Sequence, residues 1–102
     1  MGEMVKVAKK GDVSQGQGVA VEAAGRKIAL FNVGGKFYAI DDECSHAGGS
    51  LSEGTLDGLT VTCPWHGAEF NIQTGQVVSP PAENNVKGYK VVVDGEDIKI
   101  EV

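Results

Sequence analysis

Short runs of alternating or continuous apolar residues, each ended by a Gly-rich or acidic turn, follow one another along this chain. Val5-Lys6-Val7-Ala8 alternates with the period of two that a half-buried strand requires. Residues 19–23 and 27–33 read as two further strands. The second should be the more fully buried, because Ile28-Ala29-Leu30-Phe31 is unbroken. Gly25-Arg26 is expected at the turn between them. Gly34-Gly35 joins 27–33 to 36–41 as a tight hairpin, since such turns need positive φ. Val33, Phe37 and Ile40 supply bulky apolar side chains there. Residues 54–62 read as a hairpin with Asp57-Gly58 at its turn. Residues 68–72 and 77–78 read as short strands around the turn Gln73-Thr74-Gly75-Gln76. Residues 89–93 and 97–102 close the chain as a hairpin about Asp94-Gly95-Glu96.

Residues 11–18 form a polar loop, and Ser79-Pro80-Pro81-Ala82 is a stiff connector with few backbone donors. No stretch has helical periodicity. Short strands at regular spacing predict an all-β chain, folded as an antiparallel sandwich or barrel. No internal repeat and no low-complexity segment interrupts it.

Composition narrows the function. A chain of 102 residues is one domain, 1–102, with a modest core. Its 15 glycines suit many tight turns. A net charge of −5 argues against a nucleic-acid partner, which needs a clustered basic surface, and favours partners with basic patches. The longest apolar run, Ile28 to Phe31, falls far short of the roughly 20 residues of a membrane span. The first six residues carry no apolar signal-peptide core, so the expected compartment is the cytoplasm.

Two short loops hold both cysteines and both histidines: Cys44-Ser45-His46-Ala47-Gly48-Gly49 and Cys63-Pro64-Trp65-His66-Gly67-Ala68. Four borderline ligands in Gly-rich loops read as a metal site in preference to a disulfide. The hairpin at 54–62 leaves the first loop and returns to the second, which can bring the two side by side. Zinc and iron are the obvious metals. A structural zinc site is the plainer reading on ligand count. Zinc modules, however, usually pair like ligands. Loops that each offer one thiolate and one imidazole suit a two-iron cluster, with both thiolates on one iron and both imidazoles on the other.

At these residues the chain resembles the Rieske family. Cys-x-His, a gap, then Cys-x-x-His is its pattern, and Cys63-Pro64-Trp65-His66-Gly67 matches the second half closely. The strand Phe37-Tyr38-Ala39-Ile40, the Thr74-Gly75 turn and the Pro80-Pro81 loop also resemble Rieske ferredoxins. The resemblance implies one 2Fe-2S cluster, with Cys44 and Cys63 on one iron and His46 and His66 on the other. It implies a Rieske-type antiparallel base with a small inserted cluster-binding part, roughly residues 43–71. His46 and His66 would be the exit for the electron. Histidine ligation leaves such a site formally neutral when oxidised, easier to reduce than a more negative all-cysteine site.

Membrane-bound members add a cysteine to each loop as a bracing disulfide. Gly49 and Trp65 stand at those positions here. Their serine and tyrosine donors to the cluster are replaced by Ala68 and Phe70, which implies a potential low in the Rieske range of roughly −150 to +300 mV. Rieske oxygenases also need a mononuclear iron on further histidines, and this chain has 2 in total. No other catalytic constellation stands out. The expected function is therefore one-electron transfer, not catalysis. The electron would come from a flavin-containing NAD(P)H reductase and go to a terminal ring-hydroxylating oxygenase or other oxidoreductase. The rivals are a small subunit of a nitrite-reductase-like complex and a structural zinc-binding interaction module.

Some flanking residues have two readings. Trp65 either covers the cluster or packs to exclude water. Asp41-Asp42-Glu43 is most simply a solvated charge run, on which Asp42→Asn leaves the site intact. The other reading is an acidic rim that Glu53, Asp57 and Glu69 would extend. Pro80-Pro81 either covers the cluster or is a rigid connector.

Overall fold

The computed structural model describes residues 3–42, 50–64, 67–79 and 85–101. Among them are eleven strands in three antiparallel sheets and two single turns of 3₁₀ helix, Lys10–Asp12 and Leu51–Glu53. The central sheet is built from β2 (Gln17–Ala23), β3 (Arg26–Val33), β4 (Lys36–Asp41) and the short β9 (Gly88–Tyr89), in that order. An outer sheet is formed by β1 (Met4–Lys9), β11 (Asp97–Glu101) and β10 (Val91–Asp94), with β11 in the middle. The third sheet runs β5 (Thr55–Asp57), β6 (Thr60–Thr62), β7 (Glu69–Asn71), β8 (Val77–Ser79), each strand beside the next.

The apolar run in β3 explains the stacking. Side chains alternate between the faces of a strand, so four consecutive apolar residues need cover on both sides. Ile28 and Leu30 enter a core with Ala39, Tyr89, Ile98 and Ile100, which joins the central and outer sheets. Ala29 and Phe31 enter a second core with Ile40, Leu51, Val61, Phe70 and Ile72, which joins the central and third sheets. All four β3 residues have 0% exposure. Burying an Ile, Leu or Phe side chain stabilises by about 1.5–3 kcal/mol each. The antiparallel all-β expectation holds, and the base is a two-sheet sandwich with the third sheet packed on its free face.

Three expected details differ. The turn between β2 and β3 is Ala24-Gly25, one residue earlier than expected, and both residues have positive φ, 52° and 75°. Ala23 is buried and pairs with Arg26, and that inward position fixes the phase of the hairpin. The β5–β6 loop is Gly58-Leu59, one residue later than expected, closed by the pair Asp57 and Thr60. Where one strand is expected over 89–93, the chain makes two. β9 pairs with β4 and β10 with β11, so the chain changes sheets at Lys90. Tyr89 and Val91 both pack on the core between those sheets, and the step keeps both there.

Phe31→Ala should lower stability by about 3–5 kcal/mol in urea unfolding, because it empties the face of β3 under the third sheet. Val92→Ala, on a more exposed residue of an edge strand, should change it by less than about 0.5 kcal/mol.

Candidate metal centre

The base of each ligand-bearing loop is described, although most of the loop tips are not. Cys63 is the one of the four expected ligands among the described residues. Cys44, His46 and His66 lie outside them, as do Glu43, Gly48, Gly49, Trp65, Pro80 and Pro81.

The first loop leaves the end of β4 and returns at Ser50. Asp42 closes it. Its backbone carbonyl accepts from Leu51 N at 2.6 Å. Its Oδ1 accepts from Ser52 N at 2.9 Å, and its Oδ2 from Ser50 Oγ at 2.9 Å. Asp42 is only 3% exposed, so the solvated-run reading does not hold for it. The signal was present in the chain: Asp42 lies two residues beyond buried Ile40, on the same side of the strand. Asp41 faces the other way. Its Oδ1 accepts from Tyr89 OH at 2.6 Å and its Oδ2 from Lys87 N at 3.3 Å. Arg26 Nη1 reaches the same Tyr89 oxygen at 3.5 Å, and Lys87 Nζ lies 5.2 Å from the ring centroid. Burial pushes the Tyr89 phenol above its ordinary pKa, and the bond to Asp41 adds to the shift.

The second loop is closed at its own ends. Cys63 N donates to Ala68 O at 2.7 Å, and Gly67 N donates to Cys63 O at 3.2 Å. Cys63 is 2% exposed and shares the second core with Leu51, Ala68 and Phe70. Gly54 joins the two loop bases. A Cβ there would lie 2.9 Å from Val61 Cγ2 and 3.1 Å from Leu51 O, so any side chain would push them apart.

The Pro80-Pro81 segment also has a braced base. Val77 N donates to Asn85 Oδ1 at 2.9 Å, and Val86 N to Gly75 O at 2.8 Å. Gly75 N in turn donates to Asn71 O at 2.7 Å, and Asn71 Oδ1 accepts from Gln73 N at 2.8 Å. Val86 packs in the same core as Cys63 and Leu51. All three loop bases therefore rest on one apolar body.

The charges are sorted along the chain. Residues 37–86 contain no Lys or Arg and seven of the 14 acidic residues, a formal charge of −7. The remaining residues, with all 9 basic ones, carry +2. Cysteine and histidine are ligand types that iron and zinc both accept, and in sequence each loop carries one of each. Cys63 is buried beside Leu51, Ala68 and Phe70, which keep water from that loop base. The donor set therefore fits a metal.

Two loops that each carry one cysteine and one histidine in sequence, set on an all-antiparallel base, define a metal-binding class of β domain. The Rieske [2Fe-2S] domain model matches residues 3–90. The chain belongs to the Rieske [2Fe-2S] domain family, whose cofactor is a 2Fe-2S cluster. It is 47% identical over 92 residues to the 3-phenylpropionate/cinnamic acid dioxygenase ferredoxin subunit of Shigella boydii serotype 4, covering 89% of this chain and 86% of that one. The ferredoxin of carbazole 1,9a-dioxygenase from Nocardioides aromaticivorans IC177 superposes with a TM-score of 0.92 at 32% identity, over 95% of each chain. A chain in a complex of reduced oxygenase and oxidized ferredoxin in carbazole 1,9a-dioxygenase gives 0.89 at 36% identity, over 96% of this chain and 92% of that one. With these relatives the chain is an electron-transfer ferredoxin of the dioxygenase type and not itself a catalyst. Among the described residues no helix is long and apolar enough to cross a membrane.

The folded state favours the protonated phenol of Tyr89. Its contribution should be full below the ordinary tyrosine pKa of about 10 and lost as pH rises through the higher folded value. Tyr89→Phe should cost about 1–3 kcal/mol at neutral pH and flatten the alkaline limb of the stability curve. Urea midpoints measured from pH 7 upward check both.

Proposed function

We propose that Cys44 and Cys63 hold one iron of the cluster, that His46 and His66 hold the other, and that the chain shuttles single electrons in the cytoplasm. The donor would be a flavin-containing reductase and the acceptor the terminal oxygenase of a ring-hydroxylating dioxygenase. The observation that carries this reading is Cys63, buried at the neck of a closed loop in a chain of the Rieske family. The relatives' names and the oxygenase–ferredoxin complex support the choice of acceptor.

When bound, the cluster supplies reversible one-electron redox chemistry. The protein's own residues set its surroundings. Ala68 and Phe70, both 0% exposed, line the core beside Cys63 and offer no side-chain hydrogen-bond donor. Fewer donors stabilise a reduced, more negative site less well. The protein should take up one electron per two irons, with a midpoint towards the roughly −150 mV end of the family range. Dithionite titration followed by visible and electron-spin spectra measures this. His66→Ala and Cys63→Ser should each abolish the spectrum and the acid-labile sulfide. A colourless protein loaded with zinc would sink the proposal.

Docking would be guided by charge. With Asp42 buried and Asp41 held by Tyr89 and Lys87, exposed Glu53 and Asp57 and half-buried Glu69 form the outward acidic group among the described residues of this part of the molecule. Such a group steers a basic partner surface, and salt screens it. Reduction of the oxygenase should slow as salt rises from low to physiological strength. Asp57→Asn combined with Glu69→Gln should weaken that salt dependence. An unchanged salt slope in the double variant would rule out the steering role.

A further inference from the structure

We propose that Asp42 is a positioning residue for the first ligand pair, holding Cys44 and His46 in register with Cys63 by clamping both ends of their loop. The inference rests on the ligand assignment proposed above.

Asp42 uses its backbone and its side chain for one purpose. Its N–H donates to Lys27 O at 3.2 Å, which fixes it to β3. Its carbonyl and both carboxylate oxygens take three consecutive residues of the returning chain, Ser50, Leu51 and Ser52. The outgoing and returning ends of the loop are thus joined through a single residue. The returning end is itself anchored. Leu51 has 0% exposure in the core that holds Cys63, and Gly54 N donates to Leu51 O at 3.0 Å. A Cβ on Gly18 of β2 would sit 3.0 Å from Ser52 O, so glycine there leaves room for the segment to lie on the central sheet. A buried carboxylate is costly unless its oxygens are paired, and both are. Seven residues, 43–49, span the clamp, and the expected ligands 44 and 46 are among them.

A mere packing residue would not need to be a carboxylate at this point. Two polar atoms side by side are required, one to accept from a backbone N–H and one to pair with a hydroxyl. Asparagine meets both demands, because its Oδ1 accepts from Ser52 N and its amide can donate to Ser50 Oγ, which then reverses its own role. Alanine meets neither.

The test compares cluster-loaded wild type, Asp42→Asn, Asp42→Ala and Ser50→Ala by iron content, electron-spin g-values and amide exchange. Asp42→Ala should lose iron or show displaced g-values, with the Ser52 amide exchanging about tenfold faster. Ser50→Ala should shift in the same direction to a smaller extent. Asp42→Asn should restore wild-type iron content and g-values. If Asp42→Ala does not fold, Ser50→Ala decides, since it removes one bond from a half-buried hydroxyl and leaves the core intact. Wild-type g-values and exchange in Ser50→Ala, or in a folded Asp42→Ala, would overturn the proposal. A wild-type protein that binds no 2Fe-2S cluster would instead overturn the ligand assignment, and this inference with it.

Discussion

Burial of β3 on both faces is the constraint on which everything else depends. A strand with Ile28, Ala29, Leu30 and Phe31 in succession cannot sit at a surface, so the fold must supply a sheet on each side. The outer sheet does this with the two ends of the chain. The third sheet does it with the segment that carries the second loop. Placement of the loop bases is therefore a by-product of covering Ala29 and Phe31. Leu51, Cys63, Ala68 and Val86 all lie in the core that these two side chains begin.

On that body each loop is closed by a different chemistry. An acidic side chain closes the first, backbone hydrogen bonds the second and an asparagine side chain the third. None of the three closures borrows a Lys or Arg. Residues 37–86 carry no Lys or Arg at all.

The sequence made the elements legible where burial alternates cleanly. The β3–β4 hairpin at Gly34-Gly35 and the hairpins of the third sheet and the chain end follow from period and turn chemistry. The β2–β3 turn slipped by one residue because Ala23 is buried, and alanine gives little hydrophobic signal. The split at Lys90 was hidden because a strand that changes partners keeps one periodicity. The Cys-x-His and Cys-x-x-His spacing was legible as a family pattern, and the family match bears out the family. The role of Asp42 was not legible, because three successive acids look like solvated charge. The rule that separates them is mechanical: continue the alternation of β4 past Ile40, and Asp41 and Asp42 fall on opposite faces, each with its own partners.

The pairing of β1 with β11 places Met4 opposite Glu101. Both ends of the chain therefore lie in the outer sheet, with the central sheet between them and the ligand loops. A tether, tag or fused domain attached at either end would emerge across the central sheet from the described loop bases, Asp42, Ser50, Cys63 and Ala68. The arrangement suits immobilisation through the outer sheet, because the linkage would leave the third sheet uncovered.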